Sequence, residues 1–175
     1  AAQVYASYGR SFQIGAGAGA YGTKPLDASK NDTYELGLRA SPTKDFTVRL
    51  ALWQQTATDE VRLKFDNSGD SENVGETKRD GLDLEATWRA HERVSLWAAH
   101  TVQKGKFVNP GKTPADVALR GKKIDHIPGF TLKSGADIEL TKPLTLALSV
   151  MSQGDYYLTP NNATGKFGDY VLVNV

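Results

Sequence analysis

Thr33-Tyr34-Glu35-Leu36-Gly37-Leu38-Arg39-Ala40 decides how this chain folds. Tyr34, Leu36, Leu38 and Ala40 occupy alternate positions, and Thr33, Glu35, Gly37 and Arg39 fill the positions between them. Successive side chains of a strand point to opposite faces, so the segment predicts a strand with one apolar and one polar wall. The alternation returns at Phe46/Val48/Leu50/Leu52, Leu82/Leu84/Ala86/Trp88 and Val94/Leu96/Ala98. It returns again at Phe130/Leu132/Ala136/Ile138/Leu140 and Leu144/Leu146/Leu148/Val150. Repeated in this way, it predicts an all-β, antiparallel transmembrane β-barrel with lipid outside and a polar interior.

About eight strands are expected, near 3–13, 32–41, 45–64, 73–89, 93–107, 129–140, 143–154 and 168–175. Three connections are tight: Ser41-Pro42-Thr43-Lys44, Ala90-His91-Glu92-Arg93 and Thr141-Lys142-Pro143. The others, 14–31, 65–72, 108–128 and 155–167, are long and rich in Gly, Asn, Asp, Ser or Pro. Strict alternation of short and long connections suits an outer-membrane barrel, with short periplasmic turns and long outer loops. On that reading the chain starts at the periplasmic rim. Phe46 and Trp88 fall beside short turns, and Tyr34 and Phe130 beside long loops, at the levels where aromatic rings sit between headgroups and hydrocarbon. Asp80-Gly81 is a strong hairpin dipeptide and would split 73–89 in two. A single long strand projecting above the membrane is the reading preferred here.

Composition sets outer bounds. A chain of 175 residues suits one domain. Its 39% hydrophobic and 23% charged residues look soluble in bulk, but in a barrel only alternate strand residues meet lipid. No stretch approaches the roughly 18 consecutive apolar residues of a membrane helix. A net charge of +1, with Lys and Arg scattered, gives no field for nucleic acid. Cys is absent, which removes disulfides and thiolate chemistry.

Asn73-Val74-Gly75-Glu76-Thr77-Lys78-Arg79-Asp80-Gly81-Leu82-Asp83-Leu84-Glu85 resembles a hallmark of TonB-dependent outer-membrane receptors: an Asn-x-Gly, then a Gly followed by an acidic residue, on one long strand. Tyr34-Glu35-Leu36-Gly37-Leu38-Arg39 is similar to the family's Glu-x-Gly-x-Lys/Arg strand. Asp59-Glu60-Val61 and Tyr170-Val171-Leu172-Val173-Asn174 also fit, in the right order. The resemblance implies that residues 1–175 are a partial barrel, about eight strands of the 22-stranded type, with the plug domain not present in them. It implies an outer-membrane location and active uptake of a scarce nutrient, most often a ferric siderophore, energised by the TonB complex acting through that plug. Its implied partners are the ferric siderophore or a similar nutrient, the TonB complex and outer-membrane lipid, with no nucleic acid.

No enzyme is expected, and no cofactor or resident metal. His91, His100 and His126 lack the spacing of a zinc site. Asp125-His126 could be half of a triad, but no Ser lies in a nucleophile elbow. The run Gly15-Ala16-Gly17-Ala18-Gly19-Ala20-Tyr21-Gly22 lacks the helix that a phosphate-binding loop needs and reads as a flexible outer loop.

Glu35, Arg39, Arg49, Asp83, Glu85, Arg89, Lys133, Asp137 and Glu139 form the expected polar lumen, singly as cross-strand pairs and together as a conduit that a displaced plug would open. Ligand recognition falls to cations and aromatics near the outer loops: Lys64, Phe65, Lys104, Lys106, Phe107, Arg120, Tyr156 and Tyr157. Such groups suit an anionic, aromatic metal chelate. Two rivals stay open: a complete eight-stranded barrel acting as anchor or adhesin, and a soluble β-sandwich or lipocalin-like binder.

Overall fold

Alternation becomes eight antiparallel strands in one sheet, seven of them ten residues or longer. The computed structural model describes residues 1–14, 26–63, 71–111 and 114–175. Its elements are β1 (Ala2–Gln13), β2 (Ser29–Thr43), β3 (Phe46–Leu63), β4 (Ser71–His91), β5 (Val94–Asn109), a four-residue helix α1 (Pro114–Val117), β6 (Phe130–Thr141), β7 (Leu144–Gln153), the short pair β8 (Tyr156–Tyr157) and β9 (Lys166–Phe167), and β10 (Tyr170–Asn174). The sheet order is β1-β2-β3-β4-β5-β6-β7-β10, and every neighbouring pair is antiparallel. β8 and β9 form a separate small hairpin. The three turns at one end are Lys44-Asp45, Glu92-Arg93 and Lys142-Pro143, and the strand ends that the long connections join lie at the other.

β1 and β10 are the two edges and do not pair with each other. The eight strands therefore make an open arc of wall, and the rival of a closed small barrel is not what they form. The Asp80-Gly81 hairpin does not occur either. β4 runs unbroken for 21 residues. Gly81 is held opposite Trp53 on one side and Gln103 on the other, so a turn there would forfeit ladder bonds to both neighbours.

Register gives each face its chemistry, because directly opposed residues share a face. One cross-strand row runs Val4–Leu38–Leu50–Leu84–His100–Leu132, and the next toward the long loops runs Ala6–Leu36–Leu52–Leu82–Val102–Phe130. Toward the short turns the rows reach Phe46–Trp88–Leu96–Ala136–Leu148. Above the belt, at the loop end, stand Tyr8 and Tyr34, their ring centroids 4.9 Å apart and their planes tilted by 35°. Aromatic residues thus border the apolar belt on both sides, at the levels the sequence predicts.

Burial is inverted relative to a soluble protein. Leu36 and Leu52 are each 55% exposed, whereas Ala51 and Ala57, on the other face, are 0% and 1% exposed. No second sheet covers the belt among the described residues, which removes the β-sandwich rival. A continuous exposed apolar surface of this extent marks an interface with something apolar.

The hallmark residues have local physical roles. Asn73 donates to the carbonyls of Asp59 (2.7 Å) and Asp27 (2.9 Å) and accepts from Asp27 N (2.8 Å). It pins the loop-side ends of β3 and β4 to the chain entering β2. At Gly75 a Cβ would overlap the Asn109 carbonyl, so glycine permits the close passage of β5 beside its bulge.

Candidate functional site: the polar face and the loop rim

The face opposite the belt carries all nine residues of the expected polar set. One row reads Arg39–Arg49–Glu85–Ala99–Lys133 and another Gly37–Ala51–Asp83–Thr101. Glu35 shares that face opposite Trp53, Arg89 and Asp137 flank Ser95, and Glu139 stands opposite Thr145.

Five residues on that face converge. Tyr5 donates its hydroxyl to Glu35 at 2.5 Å. Arg49 reaches Glu35 at 3.3 Å and Glu85 at 3.6 Å, and donates to the Tyr5 hydroxyl at 3.3 Å. Arg39, directly opposite Arg49, avoids it by laying its guanidinium over the Tyr5 ring, 4.9 Å from the centroid. That stack is a cation–π contact and keeps two like charges apart. Asp83 accepts from Thr101 at 2.7 Å. Among the described residues Arg89, Lys133, Asp137 and Glu139 form no ion pair, so the charges divide into one network and several solvated groups.

Tyr5 is the hub that the sequence reading missed. Its signal was available, since Val4 and Tyr5 continue the alternation and put the ring on the polar face opposite Gly37. A second missed cluster lies nearer the loops. Arg79 reaches Glu60 at 2.6 Å and Thr77 at 3.1 Å, and Thr77 donates to Glu60 at 2.8 Å. Asp59 has left-handed backbone (φ 57°) just before Glu60, whose carboxylate meets Arg79 and Thr77 although its register partner is Val74.

The expected ligand-binding residues scatter. Lys64, Phe65 and the glycine-rich run 15–22 lie outside the described residues. Lys104 and Lys106 stand on β5, on the face that carries the belt, while Phe107 turns the other way and is buried, 3% exposed. Arg120 is exposed beyond α1, and Tyr156 and Tyr157 form β8.

Two long loops clasp each other at this rim. Asn162, with φ 57°, accepts from Lys123 N at 2.9 Å and donates to Lys123 O at 2.9 Å. His126 N donates to Tyr157 O at 3.0 Å, and the His126 ring packs 5.6 Å from that of Tyr156. The same loop segment returns along β5 through Phe107 N to Lys122 O (3.1 Å) and Ile124 N to Gly105 O (3.1 Å). Lys166 pairs with Asp155 at 2.8 Å, and that carboxylate's hydrogen bond and charge raise the ammonium's pKa. The cleft among Gln103, Ile124, Ile127, Tyr156 and Tyr157 encloses only about 60 Å³, too little for a metal chelate.

The histidines stay apart. His91 accepts from Arg93 N at 3.3 Å, His100 contacts the Thr131 carbonyl at 3.1 Å, and His126 lies 2.9 Å from Asp125. Among the described residues no three His, Asp or Glu side chains gather as a metal site.

A family model described as TonB dependent receptor-like, beta-barrel, matches residues 1–175. No curated protein matches the chain in sequence. Among solved structures, the ferric yersiniabactin uptake receptor FyuA from Yersinia pestis is similar at 24% identity and a TM-score of 0.71, with 98% of this chain covered and 26% of that one. The siderophore receptor PiuA from Acinetobacter baumannii is similar at 17% identity and 0.79, over 98% and 26% of the two chains. The pyoverdine outer membrane receptor FpvA from Pseudomonas aeruginosa PAO1, bound to pyoverdine, gives 19% identity and 0.69, again over 98% and 26%. At these identities the likeness is one of fold. The chain spans about a quarter of the length of each.

Proposed function

Because this chain belongs to the TonB-dependent receptor β-barrel family, we propose that it forms part of the wall of an outer-membrane receptor that actively takes up a scarce nutrient, a ferric siderophore before others. The observation that carries the reading is the sidedness of the sheet. An exposed apolar belt bordered by aromatic residues suits lipid, and a charged opposite face suits a water-filled lumen. Uptake is energised by the TonB complex acting on a plug supplied outside residues 1–175. These residues make and break no covalent bond.

Within that receptor the Tyr5–Glu35–Arg49–Glu85 network lines the lumen. It offers paired charges that a plug can rest against and that hydrate when the plug moves. The clasped loops carrying Arg120, Tyr156 and Tyr157 contribute to capture of an anionic chelate, since cations and aromatic rings grip both its charge and its ligand rings. The small rim cleft does not hold the chelate by itself; the loops offer a surface.

The test is whole-cell uptake of radiolabelled ferric siderophores of the catecholate, hydroxamate and carboxylate classes. The full-length receptor is compared with versions lacking 65–72, 108–128 or 155–167, each scored for surface abundance. Uptake of one class should fall while abundance holds. Unchanged uptake with all three loops removed would move recognition to the plug.

A further inference from the structure

We propose that Lys78, Lys106 and Lys123, with Lys104 at their foot, form a docking site for the phosphate groups of outer-leaflet lipid. This rests on the membrane orientation proposed above. Lys78 and Lys106 are direct cross-strand partners on β4 and β5, and Lys106 is bridged in turn to Lys123 of the loop returning along β5. The three ammonium stems therefore leave the same face side by side. The bonds Ile124 N to Gly105 O and Phe107 N to Lys122 O bracket the Lys106–Lys123 pair, the arrangement that brings opposed side chains closest.

Like charges directly opposed across a sheet are destabilising. Elsewhere on this face the cost is removed by pairing: Arg10 meets Asp32 at 2.7 and 3.1 Å, with Tyr8 donating to the same carboxylate. The lysine row has no such relief. Asp80, opposite Lys104, receives its hydrogen bond from Gln54 at 2.8 Å. Glu76 shares the face, and among the described residues neither carboxylate forms an ion pair with the four lysines. Lys104, Lys106 and Lys123 are exposed and Lys78 half-exposed. Three adjacent cations, none in an ion pair among the described residues and outnumbering the carboxylates beside them, leave room for an anion from outside the chain.

Height selects the anion. The last apolar row on this face includes Leu82 and Val102. Lys104 lies two residues beyond Val102, and Lys106 and Lys78 lie four beyond their rows' apolar members, roughly 13 Å along the strand. Allowing for strand tilt, that places the ammonium groups about 10 Å past the hydrocarbon edge, within the headgroup layer. A phosphate carried there by a lipid meets the row while its acyl chains lie against Leu82, Val102 and Phe130. A soluble anion gains only the first of these contacts.

The experiment uses full-length receptor, delipidated in neutral detergent, with phosphorylated lipid A, its dephosphorylated form and inorganic phosphate as probes. Binding and heat-unfolding midpoint are read together. Phosphorylated lipid A should bind roughly tenfold or more tighter than the dephosphorylated form and raise the midpoint, in line with several lysines at an anionic surface. Lys78→Gln, Lys106→Gln and Lys123→Gln combined should abolish the preference, and the matching Lys→Arg triple should keep it. Equal binding of both lipids, a preference that survives the Gln triple, or equal protection by inorganic phosphate would each overturn the assignment. The same cells are fractionated. A receptor in the outer membrane without phosphate preference refutes only this inference, whereas one in the aqueous fraction refutes the barrel reading itself.

Discussion

The Trp53 indole fills the space that a side chain on Gly81, its direct cross-strand partner on the polar face, would occupy. A Cβ at Gly81 would overlap the ring. The pairing explains why a glycine after an aspartate continues a strand here instead of turning it. The missing side chain is filled from the neighbouring strand, an aromatic covering a glycine. Tyr5 over Gly37 and Trp97 over Gly135 repeat the device along the wall.

Gly81→Ala should destabilise the folded receptor by about 1–3 kcal/mol, the usual cost of an overfilled site. Trp53→Ala in the same chain should remove most of that penalty, since it removes the colliding ring. Gly75→Ala should cost more and resist rescue, because its Cβ meets the Asn109 carbonyl and backbone cannot step aside. Denaturant titration in detergent of these three variants and of Trp53→Ala alone measures both the costs and the coupling.

Leu50→Arg, in the middle of the belt, should cost roughly 2–4 kcal/mol in a lipid bilayer. Ala99→Arg, at similar height on the polar face beside Glu85, should cost little. Folding equilibria in vesicles give both values. Equal costs would mean that the two faces meet the same medium.

Asn162→Ala should open the clasp between the two long loops. It removes the bonds to Lys123 and places a methyl-bearing residue in left-handed backbone. Asn162→Gly keeps the backbone conformation and loses only the bonds, so it should be less harmful. The check is limited proteolysis of intact cells: cleavage within 155–165 should rise in the order native, Gly, Ala, with surface abundance constant.

Residues 1–175 produced alone should aggregate, because β1 and β10 present unpaired ladders at the two edges of the sheet. Sedimentation in detergent decides it. A monodisperse, heat-resistant species would show that the edges close on each other and would restore the small-barrel rival.

Strand positions, the parity of short and long connections, and the split into belt and polar face were all legible in the sequence. Each follows from a local rule, the two-residue period of a strand and the turn chemistry between strands, and needs no knowledge of distant partners. Leu36, Leu50, Leu84 and Leu132 share a face for that reason alone, and Glu35, Arg49 and Glu85 share the other. Which charges meet is a different matter. Tyr5, Glu35, Arg49 and Glu85 come together from four strands, and a slip of one register would have sent each side chain to the opposite face. The Lys78–Lys106–Lys123 row and the Asn162 clasp depend likewise on where one strand's residue falls against another's, and on a loop returning along β5. Periodicity fixes which way a side chain points. Only the pairing of distant strands decides what it finds there, since hydrogen-bonded register is a property of two segments and is written in neither one.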